Sequence, residues 1–399
     1  MSDSGSSNPE DPFSGLPFFA DLGKLLGSSS GPVNWDAARQ FALGLATDGG
    51  SEPNVDPAHR VKLADLSRIA ELHVAKSTDL DLTVEGASAV VVPVTRSEWA
   101  RRTLADYKPL FESLAQGLNA TPQGAGDDDP AAQLLGGIMK MIGPMTTAMS
   151  IGSMVGHLAA RGLGGYDLPI PRPSSRELMV VDSNVTAFAT EWSVPFDDVA
   201  LWMCIHEFVH HALFGVEHVR ERFETLLNAY TAGFQSADGS ALEAKLGDIE
   251  PTTDLAGLQQ QLQSLFGDPE VLLGAMRTPA QEAVVRDLEA LLAVAVGWVD
   301  YQIDHIATGL IASSGQIAEA IRRRRVTAGP QDRFVEKMLG LDLRRDLVER
   351  GRGFVSGVIE RSDHDQLAKL WHDPRWIPTP NEVDAPGLWL ARIELPDLD

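Results

Sequence analysis

The feature that most constrains this chain is His206-Glu207-Phe208-Val209-His210, set inside an apolar run from Pro195 to Gly215. Asp197 and Asp198 provide a helix start, Gly215 a stop, and nothing between them breaks a helix. Residues four apart share one helix face, so both imidazoles can point at a single metal ion. Glu207 lies about 100° round the axis, where its carboxylate can reach a metal-bound water rather than the metal. Two neutral imidazoles suit zinc, and the adjacent carboxylate suits a general base for attack of water on an amide. Val199, Trp202, Met203 and Leu213 fall on or near the histidine stripe, which places the pair in the interior. A hydrogen-bonded pair of core histidines is the competing reading. Zinc also needs a third protein ligand, which the motif does not supply.

The surroundings of this helix read as mostly helical. Asn34 is a plausible N-cap for residues 35–46, and a second helix runs from Pro57 to about Ala75. Its apolar stripe is Val61, Leu63, Leu66, Ile69 and Leu72. Residues 89–94 read as a short strand, which Pro93 places at an edge or an end. Thr95 caps a helix running to about Leu118, and residues 121–130 form a polar loop. Glu177 to Val181 reads as a buried strand leading into SNVTAFATEW, and together these can present an edge to an extended peptide. Further helices are expected at about 218–232, 255–266, 279–309, 315–325 and 332–360. No alternating strand–helix pattern appears, so the class is α+β, predominantly α-helical, with a small sheet.

Composition removes several function classes. With 33 Lys+Arg against 56 Asp+Glu the formal net charge is −23, which opposes nucleic acid or an anionic membrane as partner. One cysteine, Cys204, excludes an internal disulfide and any multi-cysteine metal site, and it reads as packing rather than a ligand. The stretch Met141 to Ala160 carries no Asp, Glu, Lys or Arg, but Pro144, Ser150, Ser153 and His157 make it a core helix rather than a membrane span. Gly152 and Gly156 fit it for close helix contact. The N-terminus has neither a basic n-region nor an apolar h-region, so a cytoplasmic protein is expected. Residues 1–32 read as a disordered arm, 33–372 as one helix-rich domain, and 373–399 as an extended, Pro-rich segment packed on it. Arg322 to Arg325 read as a solvated helix end. The oligomeric state is not legible.

Several longer segments carry a resemblance. They are NWDAARQFA (34–42), GSMVGHLAARGLGGYDLP (152–169) and WSVPFDDVALWMCIHEFVHH (192–211), with FVEKMLGLDL (334–343), GRGFVSGVIER (351–361) and LWHDPRWIPTPNEVDAPGLWLAR (370–392). Together they resemble the actinobacterial zincin-like metallopeptidases, whose members carry hydrolase labels, some linked to deazaflavin-cofactor biosynthesis. The resemblance implies a zincin-like fold, one zinc ion on His206 and His210, and Glu207 as catalytic base. It also implies a third ligand, a glutamate on a second helix, with an aspartate four residues later. That helix is LEALLAVAVGWVDYQIDH (288–305), where the family pattern has Glu-Gly and this chain has Val296-Gly297. Asp300 is the first candidate to replace the missing ligand, ahead of Glu289, Asp304 and His305; its alternatives are a hydrogen bond to a ligand histidine or a solvated face. Tyr166 reads as a donor to a developing oxyanion or as a buried structural tyrosine. Two functions follow: a zinc hydrolase acting on a peptide or protein, or a catalytically degenerate relative acting as a binding or scaffold module.

Overall fold

The computed structural model describes residues 31–118, 130–233, 279–326, 339–341 and 343–395, with the backbone alone for 118, 130–142, 279–281 and 325–326. The expected arm up to residue 30, most of the polar loop, the helix at 255–266 and the start of the helix at 332–360 lie outside these residues.

Two helices open the fold. Helix α1 (Trp35–Ala46) is capped by the Asn34 side chain, which accepts from the Ala37 amide. Helix α2 (Pro57–Thr78) starts with Asp56 as cap and proline at its first position. The stripe expected on α2 is displaced: Leu63, Ser67, Ala70, Val74 and Thr78 face inward, while Val61, Ile69 and Leu72 are exposed. Close approach explains the choice. The Ser67 hydroxyl accepts from the Val91 amide at 3.0 Å, a contact that bulkier side chains on that face would prevent.

A small hairpin, β1 (Thr83–Val84) with β2 (Ala87–Ser88), precedes β3 (Val90–Val94). Thr95 then caps α3 (Arg96–Asp106), and the single helix expected to Leu118 breaks at Tyr107 before α4 (Lys108–Leu118). Pro109 accounts for the break, since it has no amide proton to donate back across Tyr107 and is tolerated in the first turn of a new helix. Helix α5 (Pro130–Arg161) follows and lies against α1. A Cβ on Gly152 would overlap the Ala38 carbonyl, and one on Gly156 would sit 2.7 Å from the Leu45 Cβ. The small-residue spacing therefore serves packing within the fold. No single helix among the described residues is long and apolar enough to cross a membrane.

Strand β4 (Glu177–Val181) pairs with β3 in parallel, Val90 opposite Glu177 and Val94 opposite Val181. A parallel pair joined through helices is the crossover that the pattern of the sequence did not reveal. The Val90 amide donates to the Arg176 carbonyl, and alternation from there turns the Pro93 nitrogen away from β4, where its missing proton costs nothing. Beyond β4 the segment SNVTAFATEW is almost wholly helix α6 (Asp182–Glu191), so it extends no strand edge.

The remaining helices enclose the motif. Helix α7 (Phe196–Gly215) carries it, and α8 (Glu217–Ala232) follows after a bend of 87°. Helix α9 (Pro279–Leu310) packs on α7, α8 and α2, then α10 (Ser314–Val326) and α11 (Arg345–Arg361) complete the wall. Helices α9 and α11 cross backbone to backbone, because a Cβ on Gly351 would overlap the Ala293 carbonyl and one on Gly297 would overlap Gly351.

Helix α12 (His364–Ala368) and a 3-10 turn at 369–371 follow, and the segment from 373, expected to be extended, carries a 3-10 turn at 374–376, α13 (Pro380–Asp384) and α14 (Pro386–Glu394). Pro374, Pro380 and Pro386 occupy first-turn positions, where a missing amide proton is harmless. Thr379 and Glu382 form a capping box, and Glu382 also takes two bonds from Arg392 at 2.6 and 2.9 Å.

Two stability predictions follow from this packing. Gly351→Ala should lower the chemical-denaturation stability by about 1–3 kcal/mol or more, through forced separation of α9 and α11. Glu382→Ala should cost about 1–3 kcal/mol near neutral pH. Burial raises the Glu382 carboxyl, but the bonds from Arg392 and Thr379 outweigh it and leave it below 4.5. The contribution is therefore present above pH 4.5 and lost as pH falls through the depressed value, so wild type and variant should converge in acid.

Candidate metal centre

Helix α7 is buried along almost its whole length, from Val199 to Phe214, because other elements cover it on every side. The histidines are fixed by hydrogen bonds at their Nδ1 atoms. His210 Nδ1 donates to the His206 carbonyl at 3.0 Å, and His206 Nδ1 donates to Glu207 Oε1 at 3.1 Å. With the protons on Nδ1 the ring lone pairs lie on Nε2, one of the two nitrogens through which an imidazole can bind a metal. The two ring centroids are 4.3 Å apart, and both rings line one cavity of about 140 Å³.

Helix α9 contributes Val296, Val299 and Asp300 to the lining of the same cavity. Val296 thus occupies the wall where the resemblance places a carboxylate. Of the four candidate replacements only Asp300 lines the cavity. Glu289 lies 3.8 Å from Arg344, Asp304 pairs with Arg322 at 3.2 Å, and the His305 ring stacks on Tyr301. Among the described residues no group of three His, Cys, Asp or Glu side chains converges closely enough to hold a metal ion. A catalytic zinc needs three protein ligands and an open position, and Asp300 is the carboxylate of the four candidates that shares the cavity of the two histidines.

Glu207 serves a different space. It is fully buried and borders a second cavity of about 160 Å³. Its carboxylate accepts from the Gly165 amide at 3.0 Å and the Tyr166 amide at 3.2 Å. The two glycines before Tyr166 are shaped round it, since a Cβ on Gly164 would overlap Oε1 and one on Gly165 would sit 2.9 Å from Oε2. Burial pushes the Glu207 carboxyl up, against the lowering pull of His206 and the Tyr166 amide.

Tyr166 stands between the cavities and lines both. Its ring stacks on His210 with centroids 5.3 Å apart and planes 7° from parallel. Burial, and next the charge of Glu207, push its phenol above the ordinary range, so it stays protonated. Cys204, two residues before His206, is buried, and burial pushes its thiol up as well. In the arginine run, Arg322 and Arg323 pair with acids on α9 and α10, and Arg324 lines the histidine cavity and lies over the Phe188 ring at 6.0 Å.

One buried residue escaped the sequence reading. Arg172 donates to the Gly165 carbonyl at 2.8 Å, to Asp106 at 2.7 Å and to Thr103 at 2.9 Å, and lies over the Tyr107 ring at 4.9 Å. It holds the Gly164–Tyr166 turn against Glu207. The available signal was a lone arginine inside an apolar, proline-rich connector.

The zincin-like metallopeptidase family profile matches residues 33–390. No curated protein matches. A solved structure from Chloroflexus aurantiacus, described as "a putative hydrolase with a novel fold", is similar at 21% identity and a TM-score of 0.64. The match covers 92% of this chain and 100% of that one, a likeness of fold.

The geometry gives Glu207 a structural duty that can be measured. Glu207→Ala strands two buried amides and should cost about 1–3 kcal/mol in urea denaturation, with Glu207→Gln also destabilised. A residue serving catalysis alone would leave stability unchanged.

Proposed function

The chain belongs to the zincin-like metallopeptidase family, and from that premise we propose that it is a catalytically degenerate member that acts as a binding protein. Membership suggests a zinc-dependent hydrolase, since the family normally binds zinc. The observation that supports degeneracy here is Val296, an aliphatic side chain in the lining of the cavity that His206 and His210 also line. A valine offers no lone pair, and two histidines without a carboxylate from elsewhere would hold a divalent ion weakly. Glu207 supports the same reading, because its carboxylate is bonded to the amides of Gly165 and Tyr166 and borders the other cavity.

A working zinc hydrolase is the second reading, and Asp300 is the observation that favours it, since it lines the histidine cavity. In that reading His206, His210 and Asp300 are the zinc ligands, Glu207 the general base and Tyr166 a donor, with a peptide or protein as substrate. The acidic balance of the chain, with a net charge of −23, supports partners other than nucleic acid or anionic membranes.

Elemental analysis of untagged protein purified without chelators separates the two. Wild type should carry well under one zinc per chain, and Val296→Glu, which places a carboxylate where the resemblance implies one, should approach one. One zinc per wild-type chain, lost in Asp300→Ala, would establish the second reading instead.

A further inference from the structure

Helix α2 turns Leu63, Ser67, Ala70 and Val74 into the fold and leaves its opposite side to solvent. On that side Val61 is 66% exposed, Leu72 67% and Ile69 43%. These three are half of the large apolar side chains exposed among the described residues; the others, Val90, Leu388 and Leu395, lie on β3, in α14 and just after it. A singly exposed aliphatic side chain is ordinary, but here the arrangement is ordered. Ala58, Val61, Asp65, Arg68, Leu72 and Ala75 are all exposed and follow one another at intervals of three, four, three, four and three. That is the spacing of the seam along which one helix packs on another.

Reversed, the seam is its own complement. Laid antiparallel on a second copy, it sets Ala58 against Ala75, Val61 against Leu72 and Asp65 against Arg68, and twofold symmetry repeats each contact. Asp65 and Arg68 pair within the helix at 3.1 Å with both side chains mostly in water, so each can also reach its counterpart across the axis. A parallel arrangement would oppose Asp65 to Asp65 and Arg68 to Arg68. The charges therefore set direction and register more than affinity. The helix carries four Lys or Arg against two Asp or Glu in a chain of net charge −23, so two molecules repel less through this face than their net charge implies.

We propose that α2 is the contact surface of a homodimer, paired antiparallel with α2 of a second copy about a twofold axis level with Leu66 and Ser67. The pairing is independent of what the histidine cavity holds. From Ala58 to Ala75 the seam runs about 26 Å. A contact of that length falls at the small end of stable interfaces, which bury about 1,200–2,000 Å². The dimer is therefore reversible, with a dissociation constant on the order of micromolar.

Sedimentation equilibrium of the full chain, from about 1 to about 500 micromolar, tests this. A monomer–dimer equilibrium is expected, and Leu72→Asp, at an exposed position, should weaken it about tenfold or more. Asp65→Arg and Arg68→Asp should each weaken it about tenfold, because like charges then meet across the axis, and mixing the two variants should restore association. Under mild oxidation Val61→Cys combined with Leu72→Cys should cross-link the dimer and Leu72→Cys alone should not, with buried Cys204 offering no competing thiol. A monomer at every concentration, the result if another segment of the chain or a different protein covers this face, would overturn the proposal. So would a dimer indifferent to Leu72→Asp, a mixture that fails to associate, or cross-linking by Leu72→Cys alone, which marks parallel pairing.

Discussion

The buried carboxylate of Glu207, held by the amides of Gly165 and Tyr166, is the contact on which the centre of the molecule depends. A charged or polar group with no solvent must find partners inside the protein, and the nearest donors are on a turn from a different part of the chain. That demand selects two consecutive glycines, because a side chain at Gly164 would occupy the same space as the carboxylate. Once the turn is seated, Tyr166 falls over His210, the Gly164 carbonyl meets Trp99, and Leu163 completes the outer side of β4. One acidic side chain thereby sets the positions of a ring, a strand edge and the wall between two cavities.

The same economy governs the outer helices. Where two backbones approach, small residues stand at the crossing: Gly152 and Gly156 against α1, Gly297 and Gly351 between α9 and α11. Gly297 directly follows Val296, so the helix face that meets α11 and the face that meets the histidines are fixed by adjacent residues. A rotation of α9 large enough to bring Asp304 or His305 to the cavity would break the glycine crossing.

Much of this was legible in the sequence, for local reasons. The cap at Asn34, the strand at 177–181 and the motif helix all depend on residues within a few positions of one another, and their bounds match. What was illegible depends on distant partners. The inward face of α2 is set by how closely β3 approaches, not by where its largest side chains lie. The parallel pairing of β3 with β4 needs the intervening helices to fold back. In the centre, spacing alone placed the two histidines on one face, and both line a single cavity. That Glu207 belongs to a different cavity could not be read from its neighbours, since the turn that holds it lies some forty residues earlier.

The parallel pairing also bears on how the molecule assembles. Val90 and Glu177 can meet only after the intervening helices have closed a long loop, and such non-local contacts form slowly compared with helix growth. The helices can therefore form early, while the wall between the cavities waits for β4 to arrive. The chamber beside the histidines is then a late product of folding, open to competing contacts from the chain itself until its last strand is in place.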